Sequence, residues 1–337
     1  MTVNKTGGEI SAPNAERSRF GAAAILARLG PFIGLVFVLG FFSVMMPSTF
    51  PTQGNLTFIL VHAVVVITAA LGATMIIISG GIDLSVGSNI ALCTVAAAAV
   101  LRGGHSPALA GLSSVVTGMC VGLFIGVLIT WLKLPPFIIT LGTWGGIRGL
   151  AEYCADDQMV RVPEAHLHSW ASRLLAPPSE QWMLFPIGVW LMIFLCLLTA
   201  AILHYTRFGR HIFAIGSNEQ TARLCGVPVA RTKIMIYAAA GAFAGVAGLI
   251  QFSYMNMGDP TTANGMELQI IAAVVIGGAS LNGGQGTVLG TIIGSIIMKA
   301  VENGCTGLHV PNSVEQMITG AIIVAACTLD RLRHGRD

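Results

Sequence analysis

Long apolar runs separated by short polar interruptions dominate the chain, falling at about 22–46, 58–79, 87–101, 109–132, 137–152, 183–205, 233–254, 265–281, 286–301 and 313–329. Strands of a membrane barrel would alternate apolar and polar positions over about ten residues, and these runs are continuous instead. As a helix, a run of about 20 apolar residues crosses ~30 Å of hydrocarbon. It also satisfies its own backbone polar groups, as lipid demands. The pattern predicts an all-α, polytopic membrane protein of about ten transmembrane helices.

Composition agrees. Of 337 residues, 54% are hydrophobic, only 10% are charged and 41 are glycine, whereas soluble domains carry about 25% charged residues. Residues 1–20, polar and bearing Lys5, Arg17 and Arg19, read as a cytoplasmic N-terminal tail, 21–329 as a single transmembrane domain and 330–337 as a cytoplasmic C-terminal tail. The run at 22–46 is too long for a signal-peptide core and lacks a cleavage site, so it reads as an uncleaved span. Lys5, Arg17, Arg19, Arg28, Lys133, the five cations of the loop at about 206–232 and its edge, and Arg331, Arg333 and Arg336 share one side of a ten-span layout. The positive-inside rule makes that side cytoplasmic. The segment at about 153–182, with Pro163, Pro177, Pro178, Trp170 and Trp182, is then external. A net charge of +3 does not suggest nucleic acid, and seven scattered cysteines read as packing residues.

Two places interrupt the apolar pattern. SGGIDLSVGSN at 79–89 sets Asp83, Ser85, Ser88 and Asn89 between apolar runs, and GGASLNGGQG at 277–286 resembles it at an offset of 197, Gly80 with Gly277 and Leu84 with Leu281. Irregular backbone at membrane depth survives only when buried in protein or lining a wet cavity, so Asp83, Ser85 and Asn89 are candidate pathway residues. The other reading makes both segments plain turns and Asp83 a turn residue or helix cap. LPPFIITLGTWGGIRGLAE at 134–152 adds Phe137, Thr140, Thr143 and Trp144 as pathway candidates, the aromatics offering faces to a sugar ring and the threonines hydroxyls. Arg148 and Glu152, spaced i,i+4, can pair. Glycine stripes at Gly241 and Gly245, and at Gly286, Gly290 and Gly294, let helices pack closely within the chain or across a dimer.

No phosphate loop, H-E-x-x-H or G-x-S-x-G is present. No catalytic residues are therefore expected in this chain. Glu164, His166 and His168 come nearest to a metal set, but three polar residues on an external loop read as solvated surface, so no metal site is expected. Energy for uphill transport must come from an ion gradient or another subunit.

GGIDLSVGS at 80–88, LPPFIITLGT at 134–143, AIGSNEQTARLCGVPV at 214–229 and IIAAVVIGGASLNGGQGTVLGTIIG at 270–294 together resemble the permease subunits of ribose/xylose/arabinose-type ABC sugar importers, the inner-membrane components of binding-protein-dependent transport systems. The resemblance spans about residues 30–329. It implies a vitamin-B12-importer-like ABC permease fold, a homodimer, a periplasmic sugar-binding protein outside and an ABC ATPase with two fused nucleotide-binding domains inside. The partner ATPase would hold ATP and Mg, and this chain no cofactor. Resemblance further implies that the basic loop carries the ATPase-coupling helix, with Gly216, Asn218, Ala222, Leu224 and Gly226 at motif positions and Thr221 departing from the family's alanine. Physically the segment suits a short helix: Ser217 or Asn218 caps it, Glu219 complements the N-terminal dipole, and Gly226 before Pro228 ends it. Arg223 offers a cation to an acidic partner. The implied function is import of a neutral, pentose-like monosaccharide across a bacterial inner membrane. The alternative is a secondary transporter or facilitator of a small polar solute, which would need no docking helix.

Overall fold

The computed structural model describes residues 14–167, 169–176 and 185–334. Residues 1–13 of the expected N-terminal tail, His168, Pro177, Pro178, Trp182 and residues 335–337 lie outside the described residues. The elements run α1 (Asn14–Met45), α2 (Gln53–Ile78), α3 (Val86–Arg102), α4 (Pro107–Leu132), α5 (Pro136–Cys154), β1 (Val160–Arg161), the single turn α6 (Glu164–Leu167), α7 (Ile187–Tyr205), α8 (Arg207–Ser217), α9 (Glu219–Leu224), α10 (Val229–Met255), β2 (Met257–Gly258), α11 (Met266–Ile276), α12 (Val288–Gly307) and α13 (Asn312–His334). Every apolar run coincides with a helix. Among the described residues α2, α4, α7, α10 and α12 are long and apolar enough to cross a membrane, and Leu29–Met45, α3 and α11 are shorter apolar helices. The protein is a multi-pass helical membrane protein.

Local chemistry sets the ends of these helices. Thr52 caps α2 by accepting from the Asn55 amide, and Ser106 caps α4 by accepting from Leu109, with Pro107 in the first turn. Lys133 turns left-handed at the end of α4, just before Pro135 and Pro136. Three expectations need correction. The helix of α1 takes in residues 14–20, read from sequence as tail. α11 ends at Ile276 rather than near 281, because the glycine pair after it closes the helix. The segment read from sequence as an external loop carries a short strand, since β1 and β2 join antiparallel with Val160 opposite Gly258 and Arg161 opposite Met257.

α2 is buried on every face from Ala63 to Ile78, as expected of a helix apolar all round at the centre of a bundle. A very close crossing lies beside it, between α4 and α10. Gly118 and Gly122 of α4 face Gly241 and Gly245 of α10 so closely that any added Cβ would strike backbone. Small residues admit this approach, and dispersion between the backbones replaces the hydrophobic drive that lipid does not supply. The α10 stripe read from sequence thus pairs within the chain, with an α4 stripe not singled out there. Gly290 and Gly294 likewise face Gly277 and Ala273 of α11, again within the chain.

The internal repeat is present with its register corrected. The Gly80 and Gly81 amides donate to the Ile77 and Ile76 carbonyls, and those of Gly278 and Ala279 to Val275 and Val274. Gly80 and Gly278 both have positive φ, 81° and 90°, so they are the equivalent closing residues and Gly277 is not. Beyond the closure the offset of 197 returns: Asp83 accepts from the Ser85 amide and Ser280 from the Asn282 amide, each two residues on. Both loops meet at α8, where an added Cβ on Gly216 would strike the Ile78 carbonyl and the Gly284 amide.

Candidate functional site

Where one short helix was read in the basic loop, two are present. Thr206 opens α8 by accepting from the Gly209 amide at 3.1 Å. Gly209, Ile212 and Ile215 are buried along one side of α8, while Arg207 and Arg210 are exposed. A single residue then turns the chain. The Asn218 amide donates to Ala214 to finish α8, and its side-chain oxygen accepts from the Thr221 amide at 2.8 Å to start α9. Asn218 is therefore the cap, and exposed Ser217 is not.

α9 is closed just as firmly at its other end. Gly226, at φ 82°, donates to the Arg223 carbonyl and Val227 to that of Ala222. This is the paired closure of a left-handed helix cap, with its usual contact between the flanking apolar residues. Ala222 is buried with Ile215 and Val229, which fixes the inner face of the helix. Glu219 binds Arg223 at 3.1 Å and Lys233 of α10 at 2.6 Å. Burial pushes the Glu219 carboxyl up, but the hydrogen bond and charge of Lys233, then those of Arg223, outweigh it and hold the group below its ordinary range. The outer face is bare: Leu224 is 88% exposed, and Arg223 and Cys225 are exposed beside it. A cavity of about 750 Å³ opens between α9 and the α4–α5 turn, with Lys133, Pro135, Glu219, Arg223 and Arg231 in its lining. The sequence motif thus comes together as one rigid, surface-projecting element. Lys233 was missed because it lies across a turn, whereas the i,i+4 spacing of Glu219 and Arg223 was visible.

Most candidate pathway residues are hydrogen-bonded within the bundle. Asp83 accepts from both the amide and hydroxyl of Ser85, at 2.8 and 2.6 Å, in a turn that leads into α3. Asn89 donates to the Gly118 carbonyl, and Thr140 to the Ile82 carbonyl at 3.2 Å. Thr143 donates back into its own helix at Thr140. Asn89 thus ties α3 to α4, and Thr140 ties α5 to the loop before α3. Phe137 remains 49% exposed, and Trp144 is half-buried with its indole nitrogen lacking a partner among the described residues. α5 also presents Gly142, Gly145, Gly146 and Gly149, none with an atom near its missing Cβ, so one side of α5 is unpartnered among the described residues.

Arg148 does not form an ion pair with Glu152. Its Nη1 donates to the carbonyls of Pro260 and Thr262 at 2.6 and 2.8 Å, anchoring the segment between β2 and α11. That partner is over a hundred residues away and is backbone, so side-chain spacing on α5 carried no sign of it. Glu164 and His166 join no cluster: among the described residues no three His, Cys, Asp or Glu side chains are placed to hold a metal.

Residues 55–327 match the family profile described as a branched-chain amino acid transport system permease component. The chain is 34% identical over 316 residues to the ribose import permease protein of Bacillus subtilis, covering 94% of this chain and 96% of that one. It is 36% identical over 303 residues to the autoinducer 2 import system permease protein of Photorhabdus laumondii, covering 89% and 88%. A similar protein of Yersinia pseudotuberculosis is 36% identical over 278 residues, covering 82% and 77%. No solved structure matches the chain. The capped helix projecting from a bundle of apolar helices is thus carried by a transport subunit and not an enzyme: the chain belongs to this family of ABC importer permease components.

Proposed function

We propose that the protein is the membrane subunit of an ATP-driven importer, that a neutral, pentose-like monosaccharide is its cargo, and that α9 is the element through which a separate ATPase drives it. One observation carries the reading: α9 is fixed at both caps, through buried Ala222 and through the Glu219–Lys233 contact, yet its tip at Leu224 stands in solvent. A helix so held transmits a push as a rigid body, and α8 leads that push through Gly216 to both glycine loops. Gly216, Asn218, Glu219, Ala222, Arg223, Leu224 and Gly226 form the coupling element in this account. ATP and Mg belong to the partner, an ABC ATPase with two fused nucleotide-binding domains.

The arginines and lysines of the basic end support a cytoplasmic location for that end and for both termini, in a bacterial inner membrane. Ten crossings follow if α1, α3, α5, α11 and α13 join the five long apolar helices, in a vitamin-B12-importer-like arrangement. The open side of α5 supports a homodimer whose pathway passes Phe137 and Trp144, with a periplasmic sugar-binding protein delivering the solute. The sugar class rests on the names of the ribose and autoinducer 2 relatives. The test of the coupling element is a cysteine at position 224 in the assembled complex. Crosslinking from that cysteine to the ATPase is expected, whereas crosslinking only from the opposite end of the bundle would overturn the assignment.

A further inference from the structure

We infer that a cavity between α2, α10 and α12, away from α5, is a binding site for a small, neutral polyhydroxylated solute in the half of the membrane opposite the basic loop. The cavity has a volume of about 290 Å³. A water molecule's share of the liquid is about 30 Å³, so the space suits roughly ten non-hydrogen atoms, the size of a pentose.

The walls divide by chemistry. Phe58 and His62 of α2 and Tyr254 of α10 make a continuous aromatic side, with ring centroids 3.9 Å apart in the first pair and 4.8 Å in the second. Across from them Lys299, Glu302 and Asn303 line the cavity from α12, at spacings that share one helix face. Lys299 binds Glu302 at 2.7 Å. At 1.5 Å per residue Lys299 lies about 12 Å inside the end of α12, at a depth where lipid-facing charge is rare. A pair retained there needs polar company.

Much of the hydrogen-bonding capacity around the cavity is unspent among the described residues. Glu302 accepts from Lys299 and Gln269 through Oε2 alone, leaving Oε1. Asn303 accepts from Asn55 through Oδ1, leaving its amide nitrogen, and Gln251 donates to Thr262 and to the Met255 sulfur through Nε2, leaving its carbonyl oxygen. The Tyr254 hydroxyl is also unengaged. Donors and acceptors in about equal number, an internally neutral ion pair and an aromatic flank match a sugar, whose hydroxyls both donate and accept and whose C–H face stacks on rings. An anion would find Glu302 and a cation Lys299.

An entrance exists at the same end. A second hollow of about 310 Å³, bounded by Met46, Thr49 and Phe50 of the α1–α2 turn, shares Phe58, Asn303 and Thr306 with the first. The Asn55–Asn303 hydrogen bond, 3.0 Å long, joins α2 to α12 where the two hollows meet. A solute arriving at the end opposite the basic loop would pass this point before reaching the cavity.

The inference deepens the sugar-importer reading and rests on it for the choice of probe. Binding of labelled D-ribose and D-xylose to the purified full-length permease is to be measured by equilibrium dialysis, beside ATP-dependent uptake by the assembled complex. Saturable binding is expected, weakened about tenfold or more in both Glu302→Gln and Tyr254→Leu, the latter at a rim position 55% exposed where folding is not at stake. No binding to the wild-type chain, or binding unchanged in Tyr254→Leu, overturns the cavity while ATP-dependent uptake keeps the importer reading. Binding that depends on Tyr254 without ATP-dependent uptake supports the cavity and sinks the importer.

Discussion

Gly216→Ala should be the most damaging single methyl in the basic loop. The added Cβ has backbone on two sides, the Ile78 carbonyl and the Gly284 amide, and neither is a side chain that can swing away. Overpacking of this kind costs about 1–3 kcal/mol. Relief by moving residue 284 breaks the Gly284-to-Ile78 hydrogen bond of 2.8 Å and strands its groups, at about 1–3 kcal/mol more. The expected loss is about 2–6 kcal/mol. Two other glycines calibrate it. Gly226→Ala meets no neighbour but keeps a left-handed backbone, for about 1–2 kcal/mol. Gly145→Ala, on the open side of α5, meets neither obstacle and should be neutral or stabilise by about 0.5–1 kcal/mol. Denaturant unfolding of the three purified variants in detergent, followed by tryptophan fluorescence, gives the ranking. Equal midpoints for Gly216→Ala and Gly145→Ala would refute the three-way junction at α8.

Asn218→Ala removes the shared cap of α8 and α9 and should cost about 1 kcal/mol while lowering ATPase co-purification, read from thermal midpoints and pull-down. Leu224→Asp should change stability by no more than about 0.5 kcal/mol, because the side chain touches little, yet abolish ATP-dependent uptake. Glu219 predicts a pH effect of definite sign. Its carboxyl is held below the ordinary range when folded, so its stabilisation is present above the unfolded value of about 4.3 and fades as pH falls through the lower folded value. With the carboxylate 40% exposed the amount is under about 1 kcal/mol, and the midpoint difference between Glu219→Gln and the wild type should be largest at pH 7 and shrink steadily as the pH is lowered into the acid range.

What the sequence disclosed and what it withheld divide along local and non-local physics. Helix positions followed from runs of apolar residues, each long enough to decide its own conformation in lipid. The ends of α9 were legible too, since Asn218, Gly226 and Pro228 act within a few residues of themselves. The second helix α8 was not, because 11 residues with cations only in their first half gain stability only by laying Ile212 and Ile215 on the bundle. The repeat was visible by identity, but its register depends on which glycine of a pair takes positive φ, a choice made by the helix terminus. The α4 stripe of Gly118, Gly122 and Gly126 stood in the sequence at the same four-residue spacing as the α10 pair and could have been matched to it. Partners of Arg148 and the walls of the α2–α10–α12 cavity come from segments far apart in the chain, with no local signature to find.

The central claim, that this permease moves a sugar because a partner's ATP cycle acts through α9, is tested most directly by uptake. Vesicles holding the chain with its ATPase and binding protein would be offered labelled pentoses, with and without internal ATP, for the wild type and Leu224→Asp. Accumulation of one sugar that needs ATP and is lost in the variant is the predicted result. Uptake by this chain alone without ATP, or uptake unchanged by the variant, would contradict it.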